Sequence, residues 1–292
     1  MGILNTEQKP NCIAMAFDSN MFFHAKRCIK TIQQYCKHPV DICVLALELK
    51  VDEIDWLQCH GARIKEDYSS LPRYENFPLY GYAQICRPYL RDLFPGYRTY
   101  MWVDADIRFN HPDAFDLYLY STIKSPDTIV LCQEVDNNYV IVRSPHHAWS
   151  YHTMINQRIS EIYGEDIERQ MHYYYNFNTG IWAMNAESEI WDYFQQELSY
   201  AFRHEFNHMR EQDALNVAIF KWGKTPEILP ATMNWLCGLG VPHFDEATGR
   251  YVQPQYPFNP ISVFHLIASN SVVEVNGEEI SCYELYQRVG IA

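Results

Sequence analysis

The stretch Thr99–Phe109, TYMWVDADIRF, joins a run of strand-forming residues to two carboxylates one residue apart. Side chains at positions i and i+2 of an extended chain lie on the same face, so Asp104 and Asp106 point together and repel each other. A hard divalent cation relieves this repulsion, because Mg²⁺ and Mn²⁺ take oxygen ligands from carboxylates and substrate phosphates. An isolated Asp-x-Asp is more often a solvated turn, and the preceding aromatic strand is what favours a metal site here.

The residues around this stretch alternate between strand and helix patterns. Asn11–Phe17 is a short apolar run, Asp18–Asn20 offers helix caps, and apolar residues then follow at helical spacing. Val40–Leu47 is a second buried strand, and a helix over Gln84–Phe94 precedes the strand Thr99–Val103. This alternation is typical of an α/β fold with a parallel sheet.

The chain shows no repeat or interdomain linker, so we expect one domain over residues 1–292. The proline-rich stretch Tyr251–Pro260 is predicted to be an irregular loop inside that domain. At the end, Ser271–Glu279 predicts a hairpin around Asn276-Gly277, followed by a short helix, which together form an extension over about 271–292.

Composition excludes several classes of protein. With 292 residues and 48% hydrophobic residues, the chain can bury a sizeable core. A formal net charge of −13 argues against nucleic-acid binding and gives no general attraction to an anionic membrane. No leader of basic then apolar residues opens the chain, and no apolar run approaches the roughly 18 residues of a spanning helix. The nine cysteines form no CxxC pair, which predicts reduced core thiols without zinc in a cytoplasmic protein, with peripheral membrane attachment left open.

The usual glycine-rich phosphate motifs are missing. The sequence has no GxxxxGK[ST], and Gly238-Leu-Gly240 opens no helix, which disfavours a P-loop enzyme and a Rossmann dehydrogenase. A sugar-phosphate nucleotidyltransferase is expected to carry a glycine-rich loop after its first strand, where this chain has Phe17–Phe22. A nucleotide-diphosphate site that depends mainly on metal is the remaining interpretation.

Four motifs then occur in a recognisable order. Asp104-Ala-Asp106, Tyr175–Asn185 (YNFNTGIWAMN), Glu211–Asn216 (EQDALN) and Val263-Phe-His265 resemble the signatures of the glycogenin-like family 8 glycosyltransferases. The resemblance extends from about Asn11 to about Ala268. It implies a GT-A fold, in which a single nucleotide-sugar-binding domain has a mostly parallel central sheet flanked by helices.

The resemblance also implies roles for individual residues, beginning with the nucleotide-sugar donor. Residues at the end of the first strand would hold the base and ribose of a UDP-sugar. Arg87, on the helix before the strand Thr99–Val103, would contact the donor, and Arg91 one turn later would share its face. Together with the Asp-Ala-Asp segment, the implied donor-binding residues are Ala16, Phe17, Asp18, Arg87, Asp104, Ala105 and Asp106.

The same resemblance implies the metal ligands and the catalytic residues. Asp104, Asp106 and His265 would bind Mn²⁺ or Mg²⁺. The residues around the donor sugar and its reacting carbon would be Asn178, Glu211, Gln212 and Asp213. Taken without the motifs, the acids of Glu211–Asp213 suit the first turn of a helix predicted over Asp213–Trp222, and His265 is a core histidine in an apolar strand.

The function implied is metal-dependent, retaining transfer of a hexose from a UDP-sugar to a hydroxyl acceptor. Glucose or galactose is the expected sugar; a saccharide, a lipid-linked molecule or a protein is the acceptor; and glycan or polysaccharide synthesis is the setting. The family continues after its histidine to a glycine and a lysine that reaches the diphosphate, but His265–Ser271 reads HLIASNS. This departure leaves open a catalytically silent nucleotide-sugar-binding protein or scaffold.

Overall fold

The computed structural model describes residues 11–74, 77–174, 176–203, 206–267, 272–275 and 278–291. Its strands are β1 (Asn11–Asp18), β2 (Val40–Leu47), β3 (Arg63–Lys65), β4 (Thr99–Val103), β5 (Ile107–Phe109), β6 (Ile129–Gln133), β7 (Phe177–Asn185), β8 (Glu227–Leu229), β9 (Trp235–Leu236), β10 (His243–Asp245), β11 (Arg250–Val252), β12 (Val263–His265), β13 (Val272–Val275) and β14 (Glu278–Ser281). Its helices are α1 (Phe22–Tyr35), α2 (Val51–Cys59), α3 (Tyr82–Ile85), α4 (Leu90–Leu93), α5 (Asp113–Lys124), α6 (Val140–Arg143), α7 (Pro145–Tyr163), α8 (Glu165–Met171), α9 (Ile190–Ala201), α10 (Arg210–Lys221) and α11 (Cys282–Arg288).

The central sheet has seven strands in the order β3-β2-β1-β4-β7-β6-β8. Strands β3, β2, β1 and β4 run parallel, and β7 is antiparallel to both of its neighbours. The expected α/β fold with a mostly parallel central sheet is confirmed. Because β7 runs the other way, its first residues lie beside the carboxyl end of β4, where the Asp-Ala-Asp segment begins.

Hydrophobic side chains cover both faces of the central sheet. This is expected, because a strand that is apolar at every position must be buried on both faces. Successive residues of β1 alternate between two hydrophobic clusters: Cys12 and Ala14 pack into one, and Ile13 and Met15 into the other. The four-residue run Tyr100–Val103 in β4 divides between the same two clusters and is completely shielded from solvent. This arrangement holds the carboxyl end of β4 in a fixed position.

A second, three-stranded sheet brings the histidine to the aspartates. β12 lies between β5 and β9 and is antiparallel to β5, with His265 paired to Ile107. The backbone N–H of Leu266 donates to the carbonyl of Asp106 at 3.2 Å. The chain therefore crosses from β4 to β5 through Asp104–Asp106, and β12 lies directly against this crossing.

Three predicted elements differ in the structure. The helix expected over Asp213–Trp222 is α10, which already begins at Arg210 and ends at Lys221. The single helix expected over Gln84–Phe94 is interrupted, because α3 ends at Ile85, a 3-10 turn follows at Arg87–Tyr89, and α4 starts at Leu90. Pro88 has no backbone N–H and its ring clashes with the preceding turn, so the α-helical ladder breaks there. The stretch predicted as an irregular loop begins inside a strand, since β11 includes Tyr251 and Val252 and pairs with β10.

The carboxyl-terminal part contains two paired strands and a helix. β13 pairs antiparallel with β14, and α11 follows immediately. The predicted turn residues Asn276 and Gly277 lie outside the described residues, as does Ser271. Within the described ranges, none of the helices has both the length and the apolar character that crossing a bilayer demands.

Candidate active site

Two aspartates and a histidine converge where β4 ends. The imidazole Nε2 of His265 lies 3.5 Å from Oδ1 of Asp106 and 4.0 Å from Oδ2 of Asp104. One ligand atom from each of the three residues lies within 4.8 Å of the others, and among the described residues this is the one cluster of acids, histidines or cysteines so arranged. The two aspartate side chains keep about a fifth to a quarter of their surface exposed, at 20% and 25%, so the cluster opens to solvent.

A glycine in β7 makes room for the histidine ring. A Cβ atom at Gly180 would lie 2.2 Å from Cε1 of His265, well inside van der Waals contact. The carbonyl of the same glycine accepts a hydrogen bond from the backbone N–H of Asp104 at 2.7 Å. Gly180 therefore sets the positions of two of the three clustered residues.

The protonation of these groups suits a divalent cation. Burial lowers the pKa of His265 to about 4 despite the opposing carboxylate of Asp104, so the imidazole is neutral near pH 7 and can donate a lone pair. Burial also raises the pKa of Asp104 and of Asp106, because removing these carboxylates from water penalises their charged forms, and a cation would offset this penalty. Two carboxylates and one imidazole form a donor set that suits Mn²⁺ or Mg²⁺, so the residues present fit the implied metal.

Arg87 connects the aspartates to helix α10. Its Nη2 donates to Oδ1 of Asp104 at 2.8 Å, and its Nη1 donates to Oε2 of Glu211 at 2.7 Å and to the carbonyl of Thr179 at 2.9 Å. Burial alone would lower the pKa of Arg87, but the carboxylates of Asp104 and Glu211 raise it. The guanidinium also lies over the ring of Trp102, 4.7 Å from its centroid. Arg87 is a buried cation that holds these elements together.

Glu211 has one oxygen engaged and the other free among the described residues. Its Oε2 accepts from Arg87 and, at 2.8 Å, from the hydroxyl of Thr179, whereas buried Oε1 has no hydrogen-bond partner within the described part of the chain. Burial raises the pKa of Glu211 to about 7, and the opposing charge of Arg87 does not offset this. A buried, unpaired carboxylate oxygen costs free energy and is suited to accept a hydrogen bond from a ligand.

Gln212 and Asn178 share a partner that the sequence analysis did not identify. Oε1 of Glu134 accepts from Nδ2 of Asn178 at 2.8 Å and from Nε2 of Gln212 at 3.1 Å. Oε2 of Glu134 accepts from Asn176 at 2.6 Å and from the hydroxyl of Tyr151. Glu134 directly follows β6, so the rule that ligands bind at the ends of strands could have found it.

Asp213 is fully buried and paired to a residue of α7. Its two carboxylate oxygens accept from Nε and Nη2 of Arg158, both at 2.9 Å. Burial raises the pKa of Asp213, and Arg158 opposes that shift. Nothing in the sequence pattern indicated Arg158, because the two residues are 55 positions apart on different helices.

The residues at the end of β1 lie beside the same edge. The β1–β4 register pairs Ala14 with Trp102, so two further residues bring Ala16 level with Asp104. Ala16 and Phe17 are buried, as is Ala105 between the aspartates. Asp18 accepts hydrogen bonds from the backbone N–H groups of Asn20 and Met21, at 3.1 and 3.3 Å, and so stabilises the turn before α1. The helix cap expected at Asp18–Asn20 is not formed, because the N-cap residue is Met21, which makes no side-chain capping bond.

Arg91 lies apart from the cluster. It donates to the carbonyl of Ala186, in the turn before α9, at 3.1 Å, and to the carboxylate of Asp192, on α9, at 2.7 Å. The break at Pro88 explains why Arg91 does not share the face of Arg87, as a continuous helix would have required.

Several solved structures share this architecture. The galactosyltransferase LgtC, in complex with donor and acceptor sugar analogues, matches with a TM-score of 0.54 and 14% identity, over 96% of this chain and 95% of that one. The apo glycosyltransferase GlyE of Streptococcus pneumoniae TIGR4 matches with a TM-score of 0.55 and 13% identity, over 98% of this chain and 61% of that one. The chain has a GT-A glycosyltransferase fold. The predicted resemblance to family 8 glycosyltransferases is thereby confirmed as a resemblance in fold.

Two further solved glycosyltransferase structures match the chain. Mouse xyloside xylosyltransferase 1 matches with a TM-score of 0.50 and 10% identity, over 88% of this chain and 96% of that one. The bifunctional glycosyltransferase WbbM matches with a TM-score of 0.54 and 13% identity, and this chain spans 41% of its length. Neither a protein-family model nor a curated protein sequence matches the chain.

Proposed function

We propose that this protein is a metal-dependent, retaining glycosyltransferase that transfers a hexose from a UDP-sugar to a hydroxyl acceptor in the cytoplasm. The observation that carries the proposal is the convergence of Asp104, Asp106 and His265 at the carboxyl edge of a GT-A sheet, with Arg87 and Glu211 directly behind them. Glucose or galactose is the proposed sugar, and the synthesis of a glycan or polysaccharide is the proposed setting.

Asp104, Asp106 and His265 would hold Mn²⁺ or Mg²⁺. When bound, such an ion stabilises the negative charge that develops on a leaving diphosphate. The chain's own contribution is to present two carboxylates and a neutral imidazole from two segments, the β4–β5 crossing and β12, whose backbones are hydrogen-bonded to each other. Arg87 orients Asp104 from behind and adds a positive charge to the site.

The neighbouring polar side chains suit the sugar and its reacting carbon. The unpaired Oε1 of Glu211 can accept a hydrogen bond from a sugar hydroxyl. The amide oxygen of Gln212 lies 3.4 Å from the backbone nitrogen of Thr179, a long contact, so a ligand can compete for it. In the transfer, an oxocarbenium-like carbon would be stabilised by these oxygens.

Retention is supported by how the carboxylates are held. Asp213 is bonded through both oxygens to Arg158, and one oxygen of Glu211 is bonded to Arg87 and Thr179. Inverting displacement needs a carboxylate that is free to take a proton from the acceptor. The ion-paired carboxylate of Asp213 is poorly suited to that role, and the unpaired Oε1 of Glu211 is proposed to accept from a sugar hydroxyl instead, so this arrangement supports a mechanism without a dedicated base.

A catalytically silent nucleotide-sugar-binding protein is the second candidate. It is favoured by the run His265-Leu-Ile267, which lacks the glycine and lysine that the resemblance leads one to expect after the histidine. Such a protein would keep the donor intact, whereas active transferases often hydrolyse the donor slowly in the absence of an acceptor.

The first experiment measures thermal unfolding with UDP, with Mn²⁺, and with both. We expect the combination to raise Tm far more than the sum of the two separate shifts, because the diphosphate completes the coordination of the metal. Asp106→Asn should remove this excess. Asp106 is chosen because Asp104 also accepts hydrogen bonds from Arg87 and Trp102, so its substitution would disturb the fold.

The matched control is Asp55→Asn, an exposed aspartate on α2, which should keep the full combined shift. Equal UDP shifts with and without metal would contradict the proposal. The same thermal-unfolding measurement should then be repeated with UDP-glucose, UDP-galactose and UDP-xylose in place of UDP. UDP-xylose is included because a xylosyltransferase shares the fold.

A further inference from the structure

A cavity lined by exposed aromatic side chains lies beside α7. It has a volume of about 450 Å³ and lies between α7 and the residues that follow α8. Trp149 is 68% exposed and Tyr173 is 90% exposed, although large aromatic side chains are normally buried. We call this cavity the aromatic groove, and its residues are Ala148, Trp149, His152, Thr153, Asn156, His172 and Tyr173.

The aromatic groove continues towards the candidate active site. A second cavity of about 190 Å³ shares Ala148 and His152 with it and extends to Glu134, Tyr151 and Asn176. Oε1 of Glu134 in turn accepts hydrogen bonds from two of the predicted catalytic residues, Asn178 and Gln212. The two cavities are therefore neighbours along α7, and the second reaches Glu134, the hydrogen-bond partner of residues proposed to surround the donor sugar.

The chemistry of this path favours a neutral ligand. Among the described residues, neither cavity is lined by lysine or arginine, so a phosphate or diphosphate headgroup would find no cation there. The polar side chains of the aromatic groove are amide, hydroxyl and imidazole groups, and the carboxylate of Glu134 in the second cavity would repel an anion further. Asn156 and His172 are hydrogen-bonded to each other, Nδ2 to Nδ1 at 2.9 Å, and this bond joins α7 to the residues that follow α8 along the wall of the groove.

We propose that the aromatic groove binds a neutral oligosaccharide, which is the acceptor of the transfer. This inference rests on the proposed function and specifies its acceptor. The apolar faces of pyranose rings can pack on the exposed rings of Trp149 and Tyr173, as flat apolar surfaces do, while sugar hydroxyls bond to the amide and imidazole groups. The end of the saccharide then lies at Glu134, next to the reacting groups.

The transfer balances with this acceptor. The hydroxyl oxygen of the terminal sugar forms a bond to C1 of the donor hexose, and the bond from C1 to the β-phosphate oxygen breaks. The bonding electron pair leaves with UDP, and the hydroxyl proton passes to the leaving phosphate oxygen. No oxidant or further reactant is needed.

The test is direct binding of saccharides in the absence of UDP and metal. The probes are oligosaccharides of two to six units of glucose, galactose or N-acetylglucosamine, each titrated against the full chain and followed by saturation-transfer NMR and tryptophan fluorescence. At least one series should bind, with affinity that rises with chain length because the groove is extended. Failure of all three series to bind the wild-type protein would overturn the proposal.

Substitutions locate the binding. Trp149→Ala and Tyr173→Ala should each weaken the bound series at least tenfold, while Tyr120→Ala, an aromatic residue that is 64% exposed on α5, should leave the affinity unchanged. Affinity that is insensitive to Trp149→Ala would contradict the assignment. Binding of phosphatidylglycerol vesicles or of an unfolded peptide that depends on Trp149, without saccharide binding, would also contradict it.

The donor is tested separately in the same samples. The combined Tm shift with UDP and Mn²⁺ should persist in Trp149→Ala and Tyr173→Ala. In the wild-type protein, absence of saccharide binding together with an intact donor shift would contradict the acceptor groove alone. Saccharide binding without any donor shift in the wild-type protein would contradict the proposed function and leave the groove as a lectin-like site.

Discussion

Arg158 binds both carboxylate oxygens of Asp213, each at 2.9 Å, and both side chains are buried. Two turns earlier on the same helix, Tyr151 donates to Glu134, the carboxylate that holds Asn178 and Gln212. Residues seven apart lie on one face of a helix, so α7 contacts the predicted catalytic cluster at two points. Helix α7, which contains none of the four motifs, therefore helps to position residues of two of them, YNFNTGIWAMN and EQDALN.

We expect Asp213→Asn to destabilise the fold by about 3 kcal/mol, because it leaves the buried guanidinium of Arg158 without its counter-charge. Chemical denaturation measures this loss. The double variant Arg158→Met with Asp213→Leu should recover most of the stability, since apolar pairs often replace buried ion pairs without cost. Donor hydrolysis should stay at least tenfold below wild type in the double variant. Recovery of both stability and hydrolysis would show that Asp213 is purely structural.

Gly180→Ala tests the position of His265. The new methyl group would lie 2.2 Å from the imidazole, so the ring must move, and we expect both a lower Tm and loss of the metal-dependent part of UDP binding. Adding His265→Ala removes the clash and should restore Tm but not metal-dependent binding. A Gly180→Ala variant with the full combined UDP and Mn²⁺ shift would argue against His265 as a metal ligand.

The buried Glu211 predicts a pH dependence of stability without ligands. Its pKa is raised to about 7 by burial, so the folded state binds a proton more tightly than the unfolded state. The stabilisation is fully present below the ordinary glutamate pKa and is lost as pH rises through about 7. Between pH 5 and 8, the wild-type protein should lose roughly 2 kcal/mol relative to Glu211→Gln. Parallel pH profiles of unfolding free energy would contradict this.

The sequence allowed the order of motifs and the sheet type to be predicted because both depend on local patterns. Apolar runs in the sequence predicted strands β1, β2 and β4. The position of Asp104 and Asp106 directly after the third of these runs predicted that they lie at the carboxyl edge of the sheet. The break at Pro88 could also have been predicted, since proline interrupts helices, but one continuous helix was expected over Gln84–Phe94. Periodicity alone does not show where a backbone hydrogen bond is missing.

The partners of the site residues could not be predicted in the same way. Glu134 and Arg158 reach Gln212 and Asp213 across 78 and 55 positions of sequence, through contacts that exist only after β6, β7, α7 and α10 have packed. The role of Gly180 could not be predicted either, because glycines occur in many turns and strands for different reasons. Gly180 lies against His265 because β7 of the central sheet packs against β12 of the second sheet, and a local sequence pattern does not predict that packing.

Gln212→Ala should lower the rate of donor turnover by roughly one to three orders of magnitude, because it removes an oxygen proposed to stabilise positive charge on the sugar. The affinity for UDP should change little, since the side chain bonds to Glu134 and Thr179 and not to Arg87 or the metal cluster. Gln157→Ala, an exposed glutamine on α7, is the control. A variant that loses UDP affinity while turning over bound donor normally would place Gln212 at the nucleotide instead.

The most direct measurement is a proton NMR time course of UDP-glucose and UDP-galactose incubated with the protein and Mg²⁺, which is diamagnetic, with water as the acceptor. The account predicts metal-dependent release of UDP and free hexose, and the hexose should be the α anomer before mutarotation, as retention requires. Cleavage should disappear in Asp106→Asn. A β anomer formed first would contradict retention, and an intact donor in a protein that binds UDP with metal would contradict the transferase itself.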